Sequence, residues 1–399
     1  MVPRDAAHAP IPRYDRSARQ PRVLSMNKIL LLMLSLLCVS GELVAAPQPP
    51  TIHARGYILM DAHTGKILAE GKADERMEPA SITKIMTAYV VGNELAAGHI
   101  ALTDQVLVSE KAWRMEGSRM FIEVGTRVSV DKLLKGMSIQ SGNDASVALA
   151  EHVAGSEEAF VDLMNQHARE LGMKNTHFVN ATGLPDPKHY TTPHDMATLT
   201  AALIRNYQQV YADFSIHDMT YNKITQRNRN GLLWKDKSVD GVKTGHTASA
   251  GYCLVASAQR GDMRLISVVM GAKSIKARER ASQTLLNFGF RFYETHRLYQ
   301  AGKTVNQVRV WKGGADQLPL GLAQDLYVTI PRGEYKKLKA VMDVDQPIEA
   351  PVEAGRTLGQ LHLKLAGKEL LSRPLLSLTA VPEGGLVKRL GDSVRLWFE

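Results

Sequence analysis

Apolar and polar positions set two different periods along this chain. Gly56 to Met60 and Lys66 to Ala69 read as two strands, joined by a turn through His63-Thr64-Gly65. From Pro79, a residue suited to a first helical position, a helical pattern runs to about Ala97, and Gly98 stands past its end. Further helices are predicted at about 131–138, 143–154, 157–171 and 193–206, with Gly172 after the third and Pro193 opening the last. Three consecutive strands follow at 239–246, 251–258 and 263–271, the second turn being Arg260-Gly261-Asp262, and helix returns at about 275–288. This order predicts an antiparallel sheet with a helical insertion, a layered α/β domain over residues 47–295.

The pattern then shifts. Residues 296–382 hold short runs such as Val308-Arg-Val-Trp311 and Leu326-Tyr-Val-Thr-Ile330, separated by Gly and Pro, which predicts a small all-β domain. In the last segment, 383–399, Leu386, Val387, Leu390, Val394, Trp397 and Phe398 fall on one face of a helix, with Lys388, Arg389, Asp392, Ser393 and Arg395 on the other. An amphipathic terminal helix with Trp and Phe on its apolar side suits a membrane interface; docking on the protein itself is the alternative.

Residues 1–46 read as an extension and an export signal. A lysine at 28 leads into the apolar run Ile29 to Val39, of 11 residues, too short to span a bilayer and suited to a signal peptide, with small residues at Ala45 and Ala46. The leading 25 residues form a long basic stretch, or Met26 is the true start. With the signal removed, Cys253 is the one cysteine left, which excludes an internal disulfide, and it reads as a small core residue. The formal net charge is +9; the first 25 residues carry five Arg and two Asp, and the next 21 one Lys and one Glu, so the remainder holds +6. Such a charge suits an anionic surface such as a membrane or cell wall. No compact basic cluster or motif supports a nucleic-acid partner.

Three short motifs carry the chemistry: Ser81-Ile-Thr-Lys84, Ser141-Gly-Asn143 and Lys243-Thr-Gly245. Singly they are weak, for Ser-x-x-Lys also occurs at Ser25–Lys28 and Ser129–Lys132. Alone, Ser81 reads as a helix N-cap and Lys243 as a solvated strand lysine. Their order and setting add weight: Ser81 opens an apolar helix, Ser141 precedes one, and Lys243 lies on a strand. Residues three apart on a helix share a face, so Lys84 lies within reach of the Ser81 hydroxyl. A serine attacks only once a base takes its proton, and a buried lysine sheds its charge because desolvation disfavours the ammonium. Lys243 would press the same way and attract a substrate carboxylate. Ser141 can relay protons, since a hydroxyl both donates and accepts. Asn143 can hold a substrate amide from both sides, Thr244 can bond a carboxylate, and Gly245 admits a close backbone.

This triplet resembles the pattern of β-lactamases and penicillin-binding proteins. The chain looks like a low-molecular-mass penicillin-binding protein of the D-alanyl-D-alanine carboxypeptidase family. Gln140-Ser-Gly-Asn-Asp-Ala145, Gly172-Met-Lys-Asn-Thr-His-Phe178, Asp240-Gly-Val-Lys-Thr-Gly-His-Thr247 and Gly251-Tyr252 share in the likeness. It is firm over about 50–295 and looser beyond. The resemblance implies a serine β-lactamase/DD-peptidase-like fold, a Ser81 acyl-enzyme, and removal of the terminal D-alanine from peptidoglycan stem peptides. It implies an oxyanion hole from the N–H groups of Ser81 and His246, donors worth roughly 3–4 kcal/mol each in other hydrolases. It implies Arg278 as a holder of the terminal carboxylate, with Lys273 and Lys276 as alternatives. It implies β-lactams as covalent inhibitors, no cofactor and no metal, and a peripheral place on the periplasmic face of the inner membrane. Between Trp113 and Phe121 the chain is shorter than many members, which leaves its substrate preference open. Three rivals stand beside this: a DD-endopeptidase, a non-catalytic wall-binding homologue, and a β-lactamase, for which no Glu-x-x-Leu-Asn pattern follows Ser141.

Overall fold

The computed structural model of the protein describes residues 48–398. The expected export signal and the extension before it lie outside them. Strands β1 (Gly56–Asp61) and β2 (Ile67–Gly71) form a hairpin. Two short hairpins come next, β3 (Gln105–Leu107) with β4 (Arg127–Ser129), and β5 (Asp218–Tyr221) with β6 (Ile224–Arg227). Strands β7 (Val239–Thr247), β8 (Gly251–Arg260) and β9 (Met263–Ala272) then complete an antiparallel sheet in the order β2-β1-β9-β8-β7.

Both faces of this sheet are covered. Side chains alternate across a strand, so Ile58, Met60, Ile266, Val268 and Met270 join one core cluster while Leu59, Leu265 and Val269 join another. The first cluster packs the inserted helices, including Lys84–Ala96, Asn143–Ala154, Glu157–Glu170 and Pro193–Asn206. The second packs helix Ile275–Phe292 through Leu285, Leu286 and Phe288. That helix outruns its expected end at 288. Phe290 still buries against the cluster, and Arg332 donates to the carbonyls of Phe290 and Arg291, which would otherwise lack partners at the helix end.

The sheet of the C-terminal part, in the order β11-β12-β16-β15-β14, comprises β11 (Asn306–Arg309), β12 (Gln317–Gly321), β14 (Leu338–Val344), β15 (Thr357–Leu365) and β16 (Lys368–Ser377), around Val308, Leu318, Leu320, Leu361 and Leu375. Strand β10 (Tyr293–Tyr299) starts directly after the helix and pairs with β13 (Leu326–Pro331). A polar knot ties this part to the first sheet: Thr295 Oγ1 donates to Asp61 at 2.7 Å, Thr64 and Thr329 share a hydrogen bond, and Lys66 Nζ donates to Thr329 O.

The terminal helix Leu386–Leu396 docks by its polar face. Asp392, buried, accepts the Lys312 N–H at 2.8 Å, Lys388 pairs with Asp316, and Arg389 pairs with Glu383. The apolar face points outward, with Leu386, Val387, Leu390, Val394, Trp397 and Phe398 each 61–87 % exposed. Among the described residues no helix is long and apolar enough to cross a membrane.

Candidate active site

Ser81 lies in a single tight turn, Ala80–Thr83, that feeds the helix Lys84–Ala96. Ala80 is held at φ +49°, in the left-handed region where side chains are disfavoured. Two glycines clamp it there. A Cβ on Gly183 would sit 1.9 Å from Ala80 O, and one on Gly245 would sit 3.0 Å from Ser81 N. Gly245 therefore serves first to bring β7 against the Ser81 turn. The sequence suggested a different use, admitting the backbone of a substrate.

Lys84 Nζ lies 3.1 Å from Ser81 Oγ, as the spacing of three implied. It also donates to Asn143 Oδ1 at 2.7 Å and to Thr182 O at 2.6 Å, and the whole side chain is buried. Burial pulls its pKa from the usual lysine range down to about 7; Asp144 opposes that shift and Arg229 adds to it. An amine that titrates near neutrality thus lies against the serine hydroxyl.

Ser141 caps a wide helical turn, Gly136–Gln140, in the left-handed conformation at φ +69°. Ser81, Ser141, Thr244, Gly245, His246 and Arg278 all line one cleft of about 500 Å³. Arg278 is held by the carbonyls of Gly245 and Cys253 and lies over the Tyr252 ring; Lys273 and Lys276 are not among the cleft-lining residues. His246 is exposed at the rim, stacked on Tyr252 with centroids 4.0 Å apart.

Three expected site residues, Lys84, Asn143 and Lys243, are buried and are not among those lining the cleft. Asn143 has both ends of its amide engaged, Oδ1 by Lys84 and Nδ2 by the Glu116 carbonyl. Lys243 is buried, and its Nζ donates to Thr244 O. Burial first, then the charges of Lys84, Arg229 and Arg278, hold its pKa well below the ordinary lysine value. Asn143 thus holds Lys84, a contact beside the substrate amide that the sequence suggested for it.

Several residues escaped the sequence reading. Arg229 lines the cleft, anchored by Nε to the Gln140 carbonyl. It sits in a polar run, Gln226-Arg-Asn-Arg-Asn230, with no motif to mark it. Gly117 and Ser118 line the cleft as well. His189 Nε2 shares a hydrogen bond with Thr83 Oγ1, and burial lowers its pKa to about 4, so the ring is neutral beside the serine turn. Among the described residues no cluster of His, Cys, Asp and Glu is placed to hold a metal ion.

The family described as D-alanyl-D-alanine carboxypeptidase matches residues 43–274, and the C-terminal domain of penicillin-binding protein 5 matches 293–383. The chain is 48% identical to D-alanyl-D-alanine carboxypeptidase DacC of Escherichia coli, over 88% of this chain and 90% of that protein. It is similar in structure to penicillin binding protein 5 from Haemophilus influenzae, at 44% identity and a TM-score of 0.78, covering 84% of this chain and 100% of that one. It is also similar to penicillin-binding protein D2 of Listeria monocytogenes in its ampicillin-bound form, at 29% identity and a TM-score of 0.57, over 61% of this chain and 100% of that one. A serine-bearing turn, a buried lysine and a lysine-bearing strand stand together in a fold shared with these proteins, and the chain belongs to the D-alanyl-D-alanine carboxypeptidase family.

Proposed function

We propose that Ser81 carries out the D-alanyl-D-alanine carboxypeptidase reaction through an acyl-enzyme, releasing the terminal D-alanine of peptidoglycan stem peptides. The observation that carries this reading is the Ser81–Lys84 pair, 3.1 Å apart, with the lysine buried and its pKa near 7. Neutral Lys84 takes the hydroxyl proton as Ser81 Oγ attacks the penultimate D-alanine carbonyl. The N–H groups of Ser81 and His246 stabilise the oxyanion. The C–N bond breaks, and Ser141, which lines the same cleft, passes a proton to the departing amine. Water then hydrolyses the ester, with Lys84 again taking a proton.

Arg278, Thr244 and Arg229 give the cleft a cationic and hydroxyl-bearing end suited to a terminal carboxylate. Lys243 contributes from behind, by holding the Thr244 carbonyl. A β-lactam presents a strained amide and a carboxylate to the same groups, and the ampicillin-bound relative supports reading it as a covalent inhibitor here. Replacing the nucleophile tests the assignment. Ser81→Ala is expected to abolish covalent labelling by a fluorescent penicillin while the protein stays folded; labelling that persists sinks it.

The terminal helix supports a peripheral membrane position. Its polar face is spent on Lys312, Asp316 and Glu383, in loops of the C-terminal β part, which leaves an outward apolar face ending in Trp397 and Phe398 with Lys388, Arg389 and Arg395 beside it. With the export signal expected at 26–46, the reading places the enzyme on the periplasmic face of the inner membrane.

A further inference from the structure

Asp144 follows the Ser141-Gly-Asn143 motif and has no part in the reaction outlined above. It is buried, with 1 % of its surface exposed, and its two oxygens accept four backbone N–H groups. Oδ1 takes those of Met120 at 3.0 Å and Ala145 at 2.9 Å. Oδ2 takes those of Phe121 at 2.9 Å and Ile122 at 3.2 Å. Three of the four belong to one stretch of chain more than twenty residues away, the continuation of the cleft wall at Gly117 and Ser118. That stretch is bent, for Phe121 stands at φ +69°, and three successive N–H groups aimed at one carboxylate are what the bend achieves.

The same stretch packs on the turn that presents Ser141. A Cβ on Gly136 would meet Met120 Sδ at 2.3 Å, and one on Gly142 would meet Asp144 Oδ1 at 2.8 Å and Met120 N at 3.2 Å. Asn143 adds two bonds to the wall, from its N–H to Ser118 O at 2.7 Å and from Nδ2 to Glu116 O at 2.6 Å. Wall, Ser141 turn and the Asn143 grip on Lys84 therefore interlock around a single carboxylate.

We infer that Asp144 is a positioning residue for acyl transfer: its carboxylate fastens Met120–Ile122 to the Ser141 turn and so fixes the cleft lining at Gly117 and Ser118. The inference rests on the Ser81 acyl-enzyme reading. The carboxylate also contributes charge, since it holds the Lys84 pKa up against burial and against Arg229. An uncharged amide cannot replace it. Asparagine offers one acceptor oxygen, and its NH₂ would face two of the N–H groups as donor against donor.

The test uses the full-length chain. Wild type is first shown to bind fluorescent penicillin at Ser81 and to release D-alanine; failure there is a failure of the acyl-enzyme reading and says nothing of Asp144. In Asp144→Asn, with a folded circular dichroism spectrum, the acylation rate is expected to fall by about 10²-fold, as small misplacements near reacting groups cost. Hydrogen exchange across 118–122 should quicken, and the acid limb of the acylation pH profile should move to lower pH, because the charge that favours protonated Lys84 is gone. If Asp144→Asn does not fold, Gly142→Ala decides. Its methyl group displaces the carboxylate while the charge stays, so acylation should slow with the pH limb unmoved. Acylation within twofold of wild type in the folded variant overturns the inference. So does a loss of rate with unchanged exchange across 118–122.

Discussion

In the proposed reaction Lys84 can take the Ser81 proton only after losing its own, and its surroundings favour that loss. Burial lowers its pKa to about 7, while the three acceptors around Nζ fix its aim. The sign of the pH dependence follows. Below about 7 the ammonium dominates and the serine has no base; above it the neutral amine does. On the acid side kcat/KM is expected to rise with pH through a limb near 7, and the penicillin acylation rate should follow the same limb. Lys84→Arg keeps its charge at any working pH and should show no acylation across the profile; labelling at the wild-type rate would count against Lys84 as the base. At this scale the approach of Lys84 to Ser81 was legible, because a spacing of three on a helix puts the two on one face. Arg229 and Asp144 were not. Each works through contacts with residues distant in sequence, from polar surroundings that carry no period. The contacts of the Asn143 amide to Lys84 and to the Glu116 carbonyl were not legible, since a spacing does not say which neighbours an amide meets.

Among elements, β7 must approach the serine turn more closely than a side chain permits. Gly245→Ala would place a methyl carbon 3.0 Å from Pro79 O and Ser81 N, both backbone atoms with little room to yield. Overpacking of this kind costs about 1–3 kcal/mol. The larger effect should fall on catalysis, with acylation slower by at least about tenfold; a variant that acylates as fast as wild type would show that the clamp is dispensable. The long elements were legible from their periods: the helices Asn143–Ala154 and Pro193–Asn206 and strands β7, β8 and β9 stand where the alternation implied. The hairpins β3–β4 and β5–β6 were not, because strands of three or four residues give too few positions for alternation to register. The wide turn before Ser141 also left no trace, as nothing in Gly136-Met-Ser-Ile-Gln140 sets it apart from ordinary helix. For the terminal helix, Trp397→Asp combined with Phe398→Asp should weaken binding to anionic vesicles by at least about 10²-fold, given about 1.5–3 kcal/mol for each large apolar side chain buried. D-alanine release from a soluble peptide should be unchanged, and undiminished vesicle binding would rule the helix out as the anchor.

Across the whole molecule, two layers of helix hold one sheet, and the sheet holds the cleft. The core on one side carries Lys84 and the Ser141 turn; the core on the other carries the helix that delivers Arg278. The C-terminal β part joins at the knot of Asp61, Thr295, Thr64 and Thr329, on elements separate from those lining the cleft, and presents the apolar helix to its surroundings. Composition could foretell a second all-β region and an amphipathic tail. It could not foretell that the tail docks by its charged face, because that depends on a buried Asp392 meeting the Lys312 N–H. The most direct measurement of the central claim is the release of D-alanine from a peptide ending in Lys-D-Ala-D-Ala by the full chain, with and without benzylpenicillin and beside Ser81→Ala. Steady release that penicillin stops and Ser81→Ala lacks is expected. Release that survives both, or none from a protein that penicillin labels at Ser81, would contradict the Ser81 carboxypeptidase mechanism.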